Sequence, residues 1–281
     1  MTDALVNGVE RLATAARWLE GPCWVPARRS VVMSDIPGNR VLEWHAETGE
    51  LTVLEDRCEF TNGRTLAADG SLLECSHGRR AVQRRQFTEN GSSTEVLVDR
   101  WHDHRLNSPN DLVVSRDGAI WFSDPSYGID LPDEGHPGER EYGDRWVFRL
   151  DPTGRLSPVV TDIVAPNGLA FSPDETLLYV ADSDVAAQIR VYDVVDGCRA
   201  KNGRWFATVP AGVPDGIRVD ASGRVWSSAA DGVHVYDTLG THVGFVGVPE
   251  VVSNLCFGDD DWVYVTASTS LYRFRIHDLP G

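Results

Sequence analysis

The sequence predicts an all-β fold: a six-bladed β-propeller with four-stranded antiparallel blades, residues 1–281 forming a single domain. Three observations predict it. One short phrase recurs six times. Apolar runs of strand length, separated by turn residues, fill the intervals. The last interval is one run short, which leaves a place for the start of the chain.

The phrase is a small oxygen-bearing residue, commonly after a Pro, followed by a short apolar run. Its clear copies are Ala165-Pro166-Asn167-Gly168-Leu169, Val213-Pro214-Asp215-Gly216-Ile217 and Ser108-Pro109-Asn110-Asp111-Leu112. Looser copies are Leu19-Glu20-Gly21-Pro22, Thr61-Asn62-Gly63-Arg64 and Ser253-Asn254-Leu255-Cys256. The key positions 20, 62, 110, 167, 215 and 254 lie 42, 48, 57, 48 and 39 residues apart. Self-similarity at such a period marks a propeller or another repeat array.

Taken in order, blade one has runs at 23–25, 31–36, 41–44 and 51–54, broken by Pro26, Pro37-Gly38 and Thr48-Gly49. These breaks are turn chemistry. Blade two has runs at 65–68, 72–76, 81–87 and 95–98. Arg79, Arg80, Arg84 and Arg85 on and before its third run read as a solvated outer face. Blade three opens with 112–114 and 119–124; regularity then stops over 125–144, a stretch rich in Gly, Pro and acidic residues. A structureless loop of that length is usually functional, and 126–144 with Tyr127 is expected to form a lid. Blade four reads 169–171, 177–181, 189–194 and 205–209; blade five 217–219, 225–227, 233–236 and 242–246. Blade six reads 255–257, 262–266 and 271–276, one strand short. Residues 9–13 are expected to supply that strand, because closing the ring removes exposed sheet edges.

Bulk properties narrow the partners. Hydrophobic residues make up 42%, enough for a large core, and the net charge is −16. That charge argues against nucleic acid and anionic membranes. No apolar run could span a bilayer. Residues 1–5 lack a basic start and an apolar core, so a cytoplasmic protein without a signal peptide is expected. The five cysteines, without a CxxC, read as reduced thiols that do not bind zinc. A monomer or weak homo-oligomer is expected.

In a propeller the first strand of each blade lines the central channel. The key residues precede that strand, so they should meet in a ring at one mouth. A single Asn-Gly or Asp-Gly is ordinary turn chemistry. Six oxygen-bearing residues in register, with Glu at position 20, point beyond turns. Oxygen ligands suit hard cations. Glu20 and Asp215 would give two charges, and Asn110 and Asn167 neutral carbonyl oxygens. Four protein ligands leave room for water and substrate. Arg64 could enter the mouth. His77 reads equally as a structural histidine or a substrate contact, and Asp124 as a brace for a neighbouring loop.

Leu19-Glu20-Gly21-Pro22, Asn107-Ser108-Pro109-Asn110-Asp111-Leu112, Phe122-Ser123-Asp124-Pro125, Pro166-Asn167-Gly168-Leu169-Ala170-Phe171-Ser172 and Pro214-Asp215-Gly216 resemble the senescence-marker-protein/gluconolactonase/luciferin-regenerating-enzyme family. The resemblance covers roughly 18–276. It implies a metal-dependent hydrolase that opens a sugar lactone, a small-molecule substrate, and one divalent cation. Ca²⁺ is the expected ion, with Mg²⁺, Mn²⁺ or Zn²⁺ as alternatives. The family's metal-binding Glu, Asn and Asp fall on Glu20, Asn167 and Asp215, its substrate-contacting Asn on Asn110, and its catalytic Asp on Asp215. Asn110 therefore stands as a fourth metal ligand or a substrate contact. Asn107 and Arg64 would place the sugar hydroxyls. The substrate-side Arg of the animal members has no clear match in His104-Arg105-Leu106-Asn107. An organophosphate or ester hydrolase on the same ring, and a non-catalytic binding propeller, are the competing functions.

Overall fold

A computed structural model describes residues 8–89 and 91–276. Among the described residues, six four-stranded antiparallel sheets form the blades; in five of them the strands run in chain order from channel to rim. Blade one is Leu19–Val25, Ser30–Asp35, Arg40–His45 and Leu51–Asp56; blade two is Thr61–Leu66, Leu72–Ser76, Ala81–Thr88 and Gly91–Val98. Blade three is Leu112–Val114, Ile120–Asp124, Trp146–Leu150 and Leu156–Val160; blade four is Pro166–Phe171, Leu177–Asp182, Gln188–Val195 and Arg199–Thr208. Blade five is Ile217–Val219, Val225–Ala229, Gly232–Tyr236 and His242–Gly247; blade six begins Val252–Phe257, Trp262–Ala267 and Ser270–Arg275. The second strands of blades one, three and five are buried at every position, as strands covered on both faces must be.

The predicted clasp forms. Glu10–Thr14 pairs antiparallel with Ser270–Arg275 as the outer strand of blade six. Arg273 donates to Glu10 Oε2 at 2.6 Å, Thr14 and Ser270 join their hydroxyls at 2.7 Å, and Val9 enters the core under blade six. All five cysteines are free, so strand pairing rather than a disulfide closes the ring.

Blades adhere through aromatic side chains of the second strands. Trp121 meets Phe171 of the next blade edge-on at 5.3 Å, Trp226 meets Phe257 at 5.7 Å, and Trp24 stacks on Tyr264 at 5.4 Å. Such contacts bury large apolar area and add aromatic pairing energy.

The repeated glycine serves these seams rather than turns. At Gly63, Gly168 and Gly216 a Cβ would stand 2.1–2.5 Å from Asn110 O, Asp215 O and the Asn254 side chain, each in another blade. Gly63 N donates to Asn110 O at 2.8 Å and Gly168 N to Asp215 O at 3.0 Å. Adjacent blades can approach this closely only where no side chain intervenes.

Two readings change. Arg80 and Arg85 are buried, 7% and 1% exposed, instead of facing solvent. Arg85 bonds Glu74 and pairs with Glu55, while Arg80 donates to Leu106 O. The stretch 126–144 is not structureless: Tyr127–Asp130 is a helical turn, and Tyr142 packs among Trp101, Trp146 and Phe148. A small hairpin, Arg100–Trp101 with His104–Arg105, precedes blade three. Residues 1–5, on which the absence of a signal peptide was argued, lie outside the described residues. Among the described residues no helix is long and apolar enough to cross a membrane.

Candidate active site at the channel mouth

Glu20, Asn62, Asn110, Asn167 and Asp215 converge on one cavity of about 240 Å³. Backbone and side-chain hydrogen bonds position them. Asn110 N donates to Ser123 O at 2.9 Å, and its carbonyl is held by Gly63. Asp215 N donates to Ser228 Oγ of the adjoining strand at 3.0 Å. Glu20 Oε2 accepts from Gly21 N at 2.6 Å and from Asn254 Nδ2 at 3.2 Å. Trp18, Ile36, Leu131 and Val213 form the apolar part of the wall, and Tyr127, Glu134 and Ser183 complete it.

The electrostatics are unusual for two carboxylates. Burial pushes Glu20 up to about 7, with the nearby Asp111 charge adding to it. Burial also drives Asp215 well above the carboxylate range, followed by the charges of Glu20 and Glu134. Glu20 and Asp215 hydrogen-bond each other. Two neighbouring carboxylates repel when both are ionised, which favours a proton or a cation between them. Glu20 and Asp215, with amide oxygens of Asn110 and Asn167, fit a hard divalent ion, which would take the place of that proton. Among the described residues no group of three or more His, Cys, Asp or Glu side chains forms a metal cluster. The fit therefore depends on the amides.

The sixth key residue, Asn254, was expected in the ring but does not line the cavity; it joins a layer around Asp111 that the sequence did not announce. Asn254 Nδ2 also reaches Asp111 Oδ2 at 3.3 Å, and Arg218 Nη1 reaches the same oxygen at 3.2 Å. Asp111 occupies the place where four of the six phrases have glycine. That departure from the motif was the signal available for it. Asn62 reaches the cavity as its key position predicted, whereas Glu134 and Ser183 had no comparable mark as cavity residues.

The remaining expectations separate cleanly. Tyr127 lines the cavity, as does Leu131 of the same stretch. Arg64 does not reach the mouth: it is 1% exposed and bound to Glu74, Gly21 O and Ser34 Oγ. Asn107 is fully buried and donates to Asp124 O, Tyr142 Oη and Asp144 O. Asp124 is a brace, accepting from the backbone N–H groups of Asn107 and Ser108 at 2.8 Å each. His77 stands behind Asn62, its Nε2 3.2 Å from Asn62 Nδ2.

The SMP-30/Gluconolactonase/LRE-like region model matches residues 18–269. A gluconolactonase of Zymomonas mobilis is 34% identical over 95% of this chain and 81% of its own. The pentonolactonase XacC of Haloferax volcanii is 29% identical over 91% of this chain and 83% of its own. The structure of a gluconolactonase from Xanthomonas campestris superposes with a TM-score of 0.90 at 41% identity, covering 97% of this chain and 89% of that one. The calcium-binding protein regucalcin of Agrobacterium tumefaciens shares the fold, with a TM-score of 0.77 at 21% identity over 94% of this chain and 92% of its own. With its six blades, its mouth ring and a family match across nearly its whole length, the chain belongs to the SMP-30/gluconolactonase/LRE-like family.

Proposed function

We propose that this protein is a metal-dependent lactonase that opens a sugar lactone to the sugar acid, with Glu20, Asn110, Asn167 and Asp215 as the cation's ligands. The observation that carries the reading is the mutually perturbed pair Glu20 and Asp215 beside two amides in one cavity. Similarity to a gluconolactonase and a pentonolactonase along most of the chain supports the choice of substrate.

A divalent cation held by Glu20, Asn110, Asn167 and Asp215, Ca²⁺ as the first expectation, would supply Lewis acidity to a carbonyl oxygen and acidity to a nearby water. Asp215 would accept the proton of the water that adds to the carbonyl carbon and return it to the ring oxygen as the ring C–O bond breaks. Asn254 holds Glu20 Oε2 in place, while Asn110 is fixed by Ser123 of its own blade and by Gly63 of blade two. The apolar wall of Trp18, Ile36, Leu131 and Val213 lowers the polarity of the site's surroundings, which strengthens polar contacts with a bound substrate. Leu131 and Glu134 come from the 126–144 segment, which acts as a cover that selects substrates.

The test is a panel of sugar lactones, simple esters and organophosphates, run on chelated protein and on protein resupplied with Ca²⁺, Mg²⁺, Mn²⁺ or Zn²⁺. Lactone hydrolysis lost on chelation and restored by one ion is expected. Hydrolysis of lactones that survives full chelation would overturn the metal's role, and preference for organophosphates would overturn the substrate.

A further inference from the structure

We infer that Asn62 is a specificity residue whose amide oxygen accepts a hydrogen bond from a hydroxyl of the substrate, held in that orientation by a relay from the cover segment through His77. The inference deepens the lactonase reading and rests on it for the identity of the ligand.

The relay starts at a backbone carbonyl. Glu134 O lies 3.0 Å from His77 Nδ1. A carbonyl can only accept, so Nδ1 carries the hydrogen. The Glu134 carboxylate, 4.0 Å from the same nitrogen, asks for the same tautomer. His77 is fully buried, and burial lowers it to about 4, so the ring is neutral. Its Nε2 is therefore an acceptor. The Asn62 nitrogen, 3.2 Å away, must be the donor. The reverse amide orientation would set Oδ1 against the ring's lone pair.

That leaves Asn62 Oδ1. The residue is 3% exposed, lines the cavity, and its Oδ1 is buried with no protein partner. An unpaired buried carbonyl is costly, and more than nine in ten such groups find a partner. A polar side chain held in one orientation on the wall of a substrate cavity, with an unpaired acceptor, is a recognition element for a donor. Hydroxyls of a polyhydroxylated lactone are donors of that kind. Asn62 shares its blade with none of the four proposed cation ligands, so its loss need not disturb them. The carbonyl that sets the relay belongs to 126–144, so seating of that segment and orientation of Asn62 are one event.

The experiment compares D-glucono-1,5-lactone with tetrahydropyran-2-one, which has the same ring and no hydroxyl. Asn62→Ala should lose about 10- to 100-fold in kcat/KM on the first and stay within about twofold on the second, mainly through KM. Equal loss on both substrates, or none on either, would overturn the inference. Calorimetry with Ca²⁺ alone should give the same affinity for Asn62→Ala and the parent; a marked loss would make Asn62 a cation ligand instead. His77→Leu should reproduce the selective KM defect, and His77→Gln, which keeps an acceptor for the Asn62 amide, should recover it. A His77→Gln protein as impaired as His77→Leu at equal melting temperature counts against the relay. If neither lactone is hydrolysed by the parent protein, the lactonase reading fails separately. D-Gluconolactam binding, measured by calorimetry and expected to weaken at least tenfold in Asn62→Ala, then decides the role of Asn62 by itself.

Discussion

Glu20 and Glu74 are both buried glutamates, in neighbouring blades, and they meet opposite surroundings. Glu74 is fully buried beside Arg64 and Arg85, with Gln83 as a further donor. Desolvation alone would raise its carboxyl, yet the two guanidinium groups hold it below its ordinary value. Glu20 is 4% exposed, has a backbone N–H and an amide for donors, and is raised to about 7. The protein supplies counter-charges for one carboxylate and withholds them from the other. A buried acid that already owns its cations braces the fold. One that lacks them suits the cation proposed for this site.

The comparison can be broken by mutation. Glu74→Gln leaves two buried arginines without their shared partner and should cost about 3–5 kcal/mol of stability, read by denaturant unfolding. A variant as stable as the parent would remove the contrast. Asp215→Asn, saturated with cation, keeps an oxygen ligand and loses the proton acceptor. Its kcat on lactones should fall by about 10²–10⁴, with stability preserved or raised. If the rate survives, Asp215 is a ligand alone. Glu20→Gln should act in the opposite sense to Glu74→Gln: the cation-free protein becomes more stable, because a costly buried charge is gone, while calorimetry shows cation affinity reduced by about tenfold or more. Destabilisation of the cation-free form would mean that Glu20 is a brace after all.

The smallest effect is on pH dependence, where the two glutamates predict opposite slopes. Glu20 is raised from 4.5 to about 7, so its contribution in cation-free protein is full below about pH 4.5 and is lost as pH rises through about 7. Excess Ca²⁺ should abolish that decline. Glu74 is lowered from 4.5, so its contribution is present above that value and is lost as pH falls through its folded pKa. Melting temperatures from pH 4 to 8, with Ca²⁺ and with chelator, separate the two. In the Glu20→Gln variant the decline toward pH 7 should shrink.

Much of the architecture was legible in the chain. Period, turn residues and the missing strand of blade six determined the number of blades and the role of Glu10–Thr14, because each blade needs a neighbour on both sides and the chain has one unused strand. The same register brought Glu20, Asn110, Asn167 and Asp215 to one mouth. What the sequence could not decide is which way each charge faces. Arg64 and Arg85 sit in strands where a one-residue step changes the face, and both turn inward to Glu74. Asn107 looked like a substrate group and instead ties 126–144 to blade three through Tyr142 and Asp144. The repeated glycines are contact points between blades, which needs the neighbouring blade to be seen. Repetition is a property of the chain and can be read along it. Desolvation, counter-charge and the hydrogen-bond direction at Asn62 depend on groups from different blades, and only the closed ring puts those groups in contact.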